Sequence, residues 1–429
     1  MKLPPRYQNC MTPKLHDSET LAREVIARCQ TLARFSEDAG SIRRTFLSPP
    51  MRDCHREIAQ WLVPLGATST IDAAGNQRIF YPATNSGAPR LLIGSHLDTV
   101  PNAGAYDGIL GVVLGVSLLS ALNSRKFPFA IEVIGFSEEE GVRFSTPFIG
   151  SRALVGTLDN EILSRQDAQG ISMRSAIENF GLNPTEIARA KIDDDVLGYL
   201  EFHIEQGPVL ENIGRPLGVV EAIAGQSRLE FTFTGRANHA GTTPMNLRYD
   251  SLAAAAEWIT AVEHKAQSAS GLVATVGAIQ AKPGAVNVIA GITKLSLDVR
   301  HQNDQARKTA VDYFIQQAED IAKRRKLGVQ WSVLMDQRTV PMDPFLVSEF
   351  DKAVRGAGCE PHRMVSGAGH DAMILAEKVP SAMIFLRTPG GISHDPAESV
   401  NVEDVAKAID CGLRLLDRLA SSPKFYAES

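Results

Sequence analysis

Apolar residues recur with helical spacing over residues 18–37 and 50–65, so each stretch predicts a helix with one buried face. "RLLIGSH" (90–96) reads as a buried strand. A helix over 108–122, a strand over 130–136 and helical stretches to about residue 190 follow. "YLEFHIE" (199–205) alternates as a strand does, and "SAMIFL" (381–386) is a further strand. Strands alternating with helices predict an α/β layer around a largely buried sheet. The pattern changes near residue 225. "RLEFTFTG" is a strand, 249–266 a helix, and "LVATVGAI" and "TKLSLDVR" are strands. A charged amphipathic helix over 304–325 and the strand "GVQWSVL" complete a β-α-β-β-α-β order, which is the ferredoxin-like motif. The chain therefore predicts a mixed-sheet α/β domain with helices on both faces, built from residues 1–222 and 338–429. A ferredoxin-like domain over 223–337 is inserted into it.

Composition narrows the class. With 429 residues, 44% apolar and 22% charged, the chain is an ordinary globular one, long enough for two domains. A net charge of −5 gives no electrostatic case for nucleic acid or an anionic membrane. Five cysteines, Cys10, Cys29, Cys54, Cys359 and Cys411, are odd in number and share no C-x-x-C spacing. That argues against a disulfide framework or a thiolate zinc site and suits a reducing cytoplasm. "MKLPPRYQNCMTPKLHDSE" has no signal-peptide core, and the apolar run Gly108–Leu122 is too short to span a bilayer. A soluble, cytoplasmic protein is expected. Its ten histidines are scattered, so any metal site must be assembled in space.

Candidate chemistry gathers where strands run out, as ligands do in open α/β sheets. "GSHLDTV" places His96 and Asp98 there, a pattern that can mean a metal-bound imidazole oriented by a carboxylate. Taken alone, that tripeptide fits a satisfied core histidine better. "GAYDGILG" puts Asp107 at a helix start between glycines, where it is either an N-cap or a carboxylate bridging two cations. "VIGFSEEEGVRF" ends a strand on Glu138, Glu139 and Glu140, three carboxylates that repel one another. "FHIEQGPVLE" adds His203, with Glu205 and Gln206 behind it, and "GISHDPAESV" adds His394. Histidines and carboxylates without thiolates suit Zn²⁺, Mn²⁺ or Co²⁺ in a catalytic site. Two such cations would answer the repulsion among the glutamates.

"GSHLDTVPNAGAYDG", "FSEEEGVRF", "FHIEQGP", "GRANHAGTTPM" and "SGAGHDA…GISHDPAE" together resemble the M20-type dinuclear metallohydrolases. The resemblance spans about residues 20–420. It is closest to the hydantoinase/carbamoylase branch, with its N-carbamoyl-L-amino-acid hydrolases, allantoate amidohydrolases and β-ureidopropionases. It implies one divalent metal on His96, Asp107 and His203 and a second on Asp107, Glu140 and His394. It further implies that Glu139 is the general base, Asp98 the partner of His96, and His239 in "RANHAGT" the stabiliser of the oxyanion. Gln206, His239, Asn287, Arg300 and Gly369 match substrate-binding positions, with Arg300 offering a fork for a carboxylate. For Arg300 alone, a surface salt bridge is the commoner explanation. Glu138 falls outside the base-and-ligand pair and reads as a solvated or supporting carboxylate.

The implied activity is hydrolysis of an N-carbamoyl (ureido) group on a small carboxylate, releasing ammonia and CO₂, by a homodimer formed through the inserted domain. Its rivals are an M20-type aminopeptidase or dipeptidase and a non-catalytic metal-binding homologue. The glycine-rich "SGAGHDA" is not a dinucleotide loop, since G-x-G-x-x-G after a strand is absent. His370 within it reads as a supporting residue. His16, His55, His264, His301 and His362 have no motif around them. "LRTPGGISH" departs from the more polar run expected before His394, so Arg387 is placed to alter the pocket rim.

Overall fold

The structure, a computed structural model, describes residues 17–427, so Cys10 and His16 lie outside the described residues. The chain forms two compact units. One runs to Glu221 and resumes over Met342–Met364 and from His370 onward; the other is Ala222–Pro341 with Val365–Gly369.

In the first unit a mixed sheet has the strand order Thr68–Ile71, Gln77–Tyr81, Ala130–Phe136, Arg90–His96, Val196–Ile204, Ser381–Leu386, Leu217–Ile223. The four in the middle, from Ala130–Phe136 to Ser381–Leu386, are parallel, and their neighbours on either side are antiparallel. Parallel strands buried on both faces read as apolar runs, which is why these four were visible in the sequence. Their carboxyl ends share one edge, so His96, the glutamate turn, His203 and the loop to His394 leave the sheet together.

Helices cover both faces. Successive residues of a strand point to opposite sides. Phe202 meets Phe350 of helix Pro344–Gly356 edge-on at 6.1 Å, while Glu201 accepts the Ala372 amide of helix Asp371–Leu375 at 2.9 Å. Helix Ile109–Ala121 is apolar all round because it is buried all round. It lies so close to the sheet that a Cβ on Gly111 would stand 2.1 Å from the Phe202 carbonyl oxygen. The helical reading up to residue 190 resolves into short pieces: Ile149–Val155, Asn160–Ser164, Met173–Asn179 and a 3₁₀ segment Pro184–Ala190. Helices Pro344–Gly356 and Val402–Ala420 and the strands Thr68–Ile71 and Gln77–Tyr81 were not read from the sequence.

In the second unit, strands Ile279–Lys282, Ile292–His301, Gly225–Thr234 and Gly328–Gln337 form an antiparallel sheet in that order. Phe231, Phe233, Leu295 and Leu297 meet Trp258 and Phe314 of helices Ser251–Ser268 and Asp304–Arg325 in its core. Trp258 donates to the Phe314 carbonyl at 2.8 Å, which ties the two helices together. The single strand expected over "LVATVGAI" is two, Val273–Thr275 and Ile279–Lys282. Between them Ala278 bonds Ser296 through both its amide and its carbonyl, an irregular pairing that no sequence period signals. Among the described residues no helix is long and apolar enough to cross a membrane, and Cys29, Cys54, Cys359 and Cys411 are free thiols.

His55, on helix Pro49–Leu62, is buried, and neither ring nitrogen has a partner among the described residues. Burial first, then the Arg44 and Arg52 charges, push its pKa down from 6.5 to about 3. Between those values the unfolded chain binds a proton that the folded one refuses, so stability falls as pH drops below about 6.5. At pH 5 this costs about 2 kcal/mol. His55→Phe keeps the edge-on contact with Phe180 and removes the titration. Its melting temperature should fall less than wild type's between pH 7 and pH 5, and parallel pH profiles would overturn the assignment.

Candidate metal centre

His96 ends strand Arg90–His96, and His203 is the penultimate residue of Val196–Ile204. Each ring's Nδ1 sits against a main-chain carbonyl: Asp98 O at 3.0 Å for His96, Ile204 O at 2.9 Å for His203. A carbonyl only accepts, so each Nδ1 carries a proton, and it is Nε2 that each ring can offer as a ligand once it is neutral. The two Nε2 atoms are 3.5 Å apart. Asp107 Oδ1 faces both, 3.7 Å from His96 and 3.3 Å from His203, and this buried oxygen has no hydrogen-bond partner among the described residues. Three potential ligand atoms thus converge in a buried pocket, an arrangement that a cation relieves and packing alone does not.

The second oxygen of Asp107 faces a different group. His394 Nε2 lies 3.0 Å from Asp107 Oδ2 and 3.3 Å from Glu140 Oε1. One carboxylate therefore stands between two donor sets, His96–His203 and Glu140–His394, with ligand atoms in each set of three within 4.8 Å of one another. The hydrogen bonds of Asp107 and Glu140 raise the His394 pKa from 6.5 to about 10. Burial opposes charge on His96, yet Asp107, Glu139 and Asp98 drive its pKa well above the usual imidazole range. Negative charge that draws protons this strongly also suits divalent cations, which displace those protons on binding. Glu139 shares a third group with His96 and Glu140. Burial, which outweighs the opposing His96 charge and is reinforced by Glu140, holds its carboxyl well above the carboxylate range.

Three buried carboxylates fix the loops that carry these groups. Asp98, expected to be the partner of His96, has its carboxyl 3.7 Å from Nδ1, and its carbonyl makes the closer contact. The carboxyl accepts the Glu139 and Glu140 amides at 3.0 and 3.1 Å, which aims the turn. Glu138 is not solvated: it is fully buried and accepts the amides of Arg143, Phe144 and Phe46. Its φ of 49° bends the chain directly after the strand, so that Glu139 and Glu140 turn toward the histidines. Glu398 accepts the amides of Tyr106 and Asp107 at 2.9 and 3.1 Å. Burial, then the charge of Asp107, lifts its pKa to about 7.

Gln206 does not stand free: its side-chain amide donates to Asp107 Oδ2 at 3.0 Å and to Ser393 at 3.3 Å. His370 packs edge-on against His203, ring centroids 4.5 Å apart. Arg387 is held by both oxygens of Asp404 at 2.7 and 2.9 Å, so its charge is spent at the start of helix Val402–Ala420. The sequence reading missed Glu201 and Glu398. Glu201 had a signal, since a charge in the otherwise apolar "YLEFHIE" needs a buried partner; it accepts the Ala372 amide and Ser95. Glu398 had none.

In the second unit His239 and Asn287 are neighbours, since strand Asn238–His239 pairs with Val288–Ile289 and the Ala240 amide donates to Asn287 O. His239 Nδ1 accepts the Gly241 and Thr242 amides at 3.1 and 3.2 Å, which leaves the proton on Nε2. Arg300 is bound through two nitrogens to Asp298 and through a third to the Gly367 carbonyl, two residues before Gly369. Its fork is thus shaped by a salt bridge within the unit.

Residues 92–418 match the family described as Peptidase family M20/M25/M40. An allantoate deiminase of Arabidopsis thaliana is 38% identical, over 94% of this chain and 82% of that protein. An N-carbamoyl-L-amino acid amidohydrolase of Geobacillus stearothermophilus is 39% identical, over 86% of this chain and 91% of that protein. The solved structure of a hydantoinase/carbamoylase family amidase from Burkholderia multivorans superposes with a TM-score of 0.88 at 30% identity. That match covers 94% of this chain and 98% of the other. The motifs at the strand ends, the mixed sheet beneath them and these matches over most of the chain make the protein a member of peptidase family M20, on its hydantoinase/carbamoylase side.

Proposed function

We propose that this protein is a metal-dependent amidohydrolase that cleaves the ureido group of a small carboxylate, an N-carbamoyl-L-amino acid or allantoate. With one water, R–NH–CO–NH₂ gives R–NH₂, CO₂ and NH₃. The observation that carries the reading is Asp107, buried with one oxygen toward His96 and His203 and the other toward His394. The names of the relatives from Arabidopsis thaliana and Geobacillus stearothermophilus support the substrate class.

His96, Asp107 and His203 would hold one divalent cation, and Asp107, Glu140 and His394 the other; histidine and carboxylate donors suit Zn²⁺, Mn²⁺ or Co²⁺. Bound there, the cations supply an acidified water and a polarised substrate carbonyl. Glu139 takes the water's proton and returns it to the departing nitrogen. Asp98 keeps Glu139 and Glu140 at their posts through the two amides. His239, its proton fixed on Nε2, donates to the oxyanion. Arg300 and Asn287 receive the substrate's carboxylate, and Gln206 and Gly369 complete the binding set.

Gly108 shows how closely this centre is built. Its φ is 72°, and a Cβ there would stand 2.4 Å from the His96 ring atoms Cδ2, Cε1 and Nε2. Only glycine lets the chain pass from Asp107 into helix Ile109–Ala121 beneath that imidazole. The reading also makes the protein a homodimer through the second unit, whose edge strand Gly328–Gln337 leaves Trp331, Val333 and Leu334 exposed.

A panel of N-carbamoyl amino acids, allantoate and dipeptides, assayed for ammonia on metal-loaded protein, tests the activity. Ammonia from a ureido substrate is expected, and dipeptide cleavage without it would favour a peptidase. Glu139→Gln should retain its metal by elemental analysis and lose about 10²–10⁴ in rate, so an unchanged rate would remove Glu139 from its role. Gly108→Ala should lose metal and melt lower; full metal content would show that His96 is not a ligand. Light scattering at micromolar concentration should report a dimer, and a monomer would overturn that part.

A further inference from the structure

We propose that Glu398 is a positioning residue for the cation held by Asp107, Glu140 and His394, a role that rests on the two-cation reading above. Its Oε1 accepts the amides of Tyr106 and Asp107, at 2.9 and 3.1 Å. Its Oε2 lies 3.3 Å from the hydroxyl of Ser393, the residue before His394. One buried side chain thus joins the loop that ends in Asp107 to the loop that ends in His394, 291 residues apart in the chain at the Asp107 amide. The Asp107 loop packs directly on it: a Cβ on Gly104 would stand 2.4 Å from Glu398 Cβ and 2.5 Å from Oε1.

The remaining ligands are held by other means. His96 and His203 sit on sheet strands with Nδ1 bonded to carbonyls, and Glu140 hangs from Asp98. Among the described residues His394 has no such anchor, being on an irregular loop with φ 57° and its side chain 47% exposed. Its neighbour Ser393 has one hydroxyl proton to divide between Glu398 Oε2 and Asp107 Oδ2, 3.2 Å away. Glu398 therefore governs where Asp107 Oδ2 and His394 stand relative to each other, whereas His96 and His203 are placed by their own strands and carbonyls. Among the described residues it forms no ion pair, so a charge-pairing role does not account for burying a carboxylate there.

The test is Co²⁺ titration of the metal-stripped protein, followed by calorimetry and by the visible absorption of the bound ion. Wild type should take two ions. Glu398→Ala should keep one tight site and weaken the second by about 10–100-fold, the usual cost of losing an outer partner of a metal ligand. Glu398→Gln keeps an oxygen for the two amides and should recover most of that loss. A role in stability alone would lower the melting temperature of the metal-free protein and leave the affinities unchanged. Two wild-type affinities in Glu398→Ala, or equal weakening of both sites, would overturn the proposal. If Glu398→Ala does not fold, Glu398→Asp, whose shorter side chain cannot span both the two amides and Ser393, decides instead. Selective weakening of the second site supports the proposal, and wild-type binding rejects it. A wild-type protein that takes fewer than two ions would remove the two-cation reading itself, a result separable from any variant's.

Discussion

Everything near the candidate centre is arranged around one electrostatic problem: a buried carboxylate, Asp107, set among the Nε2 atoms of three histidines and a crowd of further carboxyls. His96 and His203 turn their Nε2 atoms to one oxygen because main-chain carbonyls claim their Nδ1 protons. Glu139, Glu140, Asp98, Glu138 and Glu398 add further carboxyls nearby, all but Glu140 buried. Such a cluster raises the free energy of the fold unless protons or cations offset it, and protons do so only at the cost of the ligand function. The same crowding that destabilises the metal-free protein is what gives the site its affinity for divalent ions.

The scaffold answers with main-chain amides. Asp98 takes those of Glu139 and Glu140, Glu138 those of Phe46, Arg143 and Phe144, and Glu398 those of Tyr106 and Asp107. A charge-assisted hydrogen bond of this kind is worth roughly twice a neutral one, and each also pins a loop whose side chain faces the centre. The supporting carboxyls and the working ones are thus sequence neighbours with opposite tasks. Within the glutamate triplet the first turns back to hold the turn, the second faces the reaction, and the third faces His394.

Much of this was legible in the residues. Apolar runs marked the four parallel strands, and histidines or carboxylates just beyond their ends marked the edge where a centre would form. Boundaries were clear wherever period and burial agreed, as in helix Asp304–Arg325. They were unclear where the chain is irregular, as over residues 138–190, because short helices held by side-chain caps have no period long enough to read. The strands Thr68–Ile71 and Gln77–Tyr81 were passed over for a related reason: with four and five residues, they are too short for their alternation to stand out.

The sequence by itself determined the alternation of strands and helices, the ferredoxin-like order of residues 225–337, and the residue types gathered at strand ends. Those depend on local period and on chemistry that each residue carries wherever it sits. Only the tertiary structure decided that Asp98 holds the glutamate turn as well as lying beside the His96 ring, that Gln206 leans on Asp107, and that Glu138 is buried. It also brought Glu398 to Asp107. The reason is geometric: a carboxylate's role is set by which amides and cations reach its two oxygens, and those donors come from loops far apart in the chain. Sequence names the acid; the fold chooses what it holds.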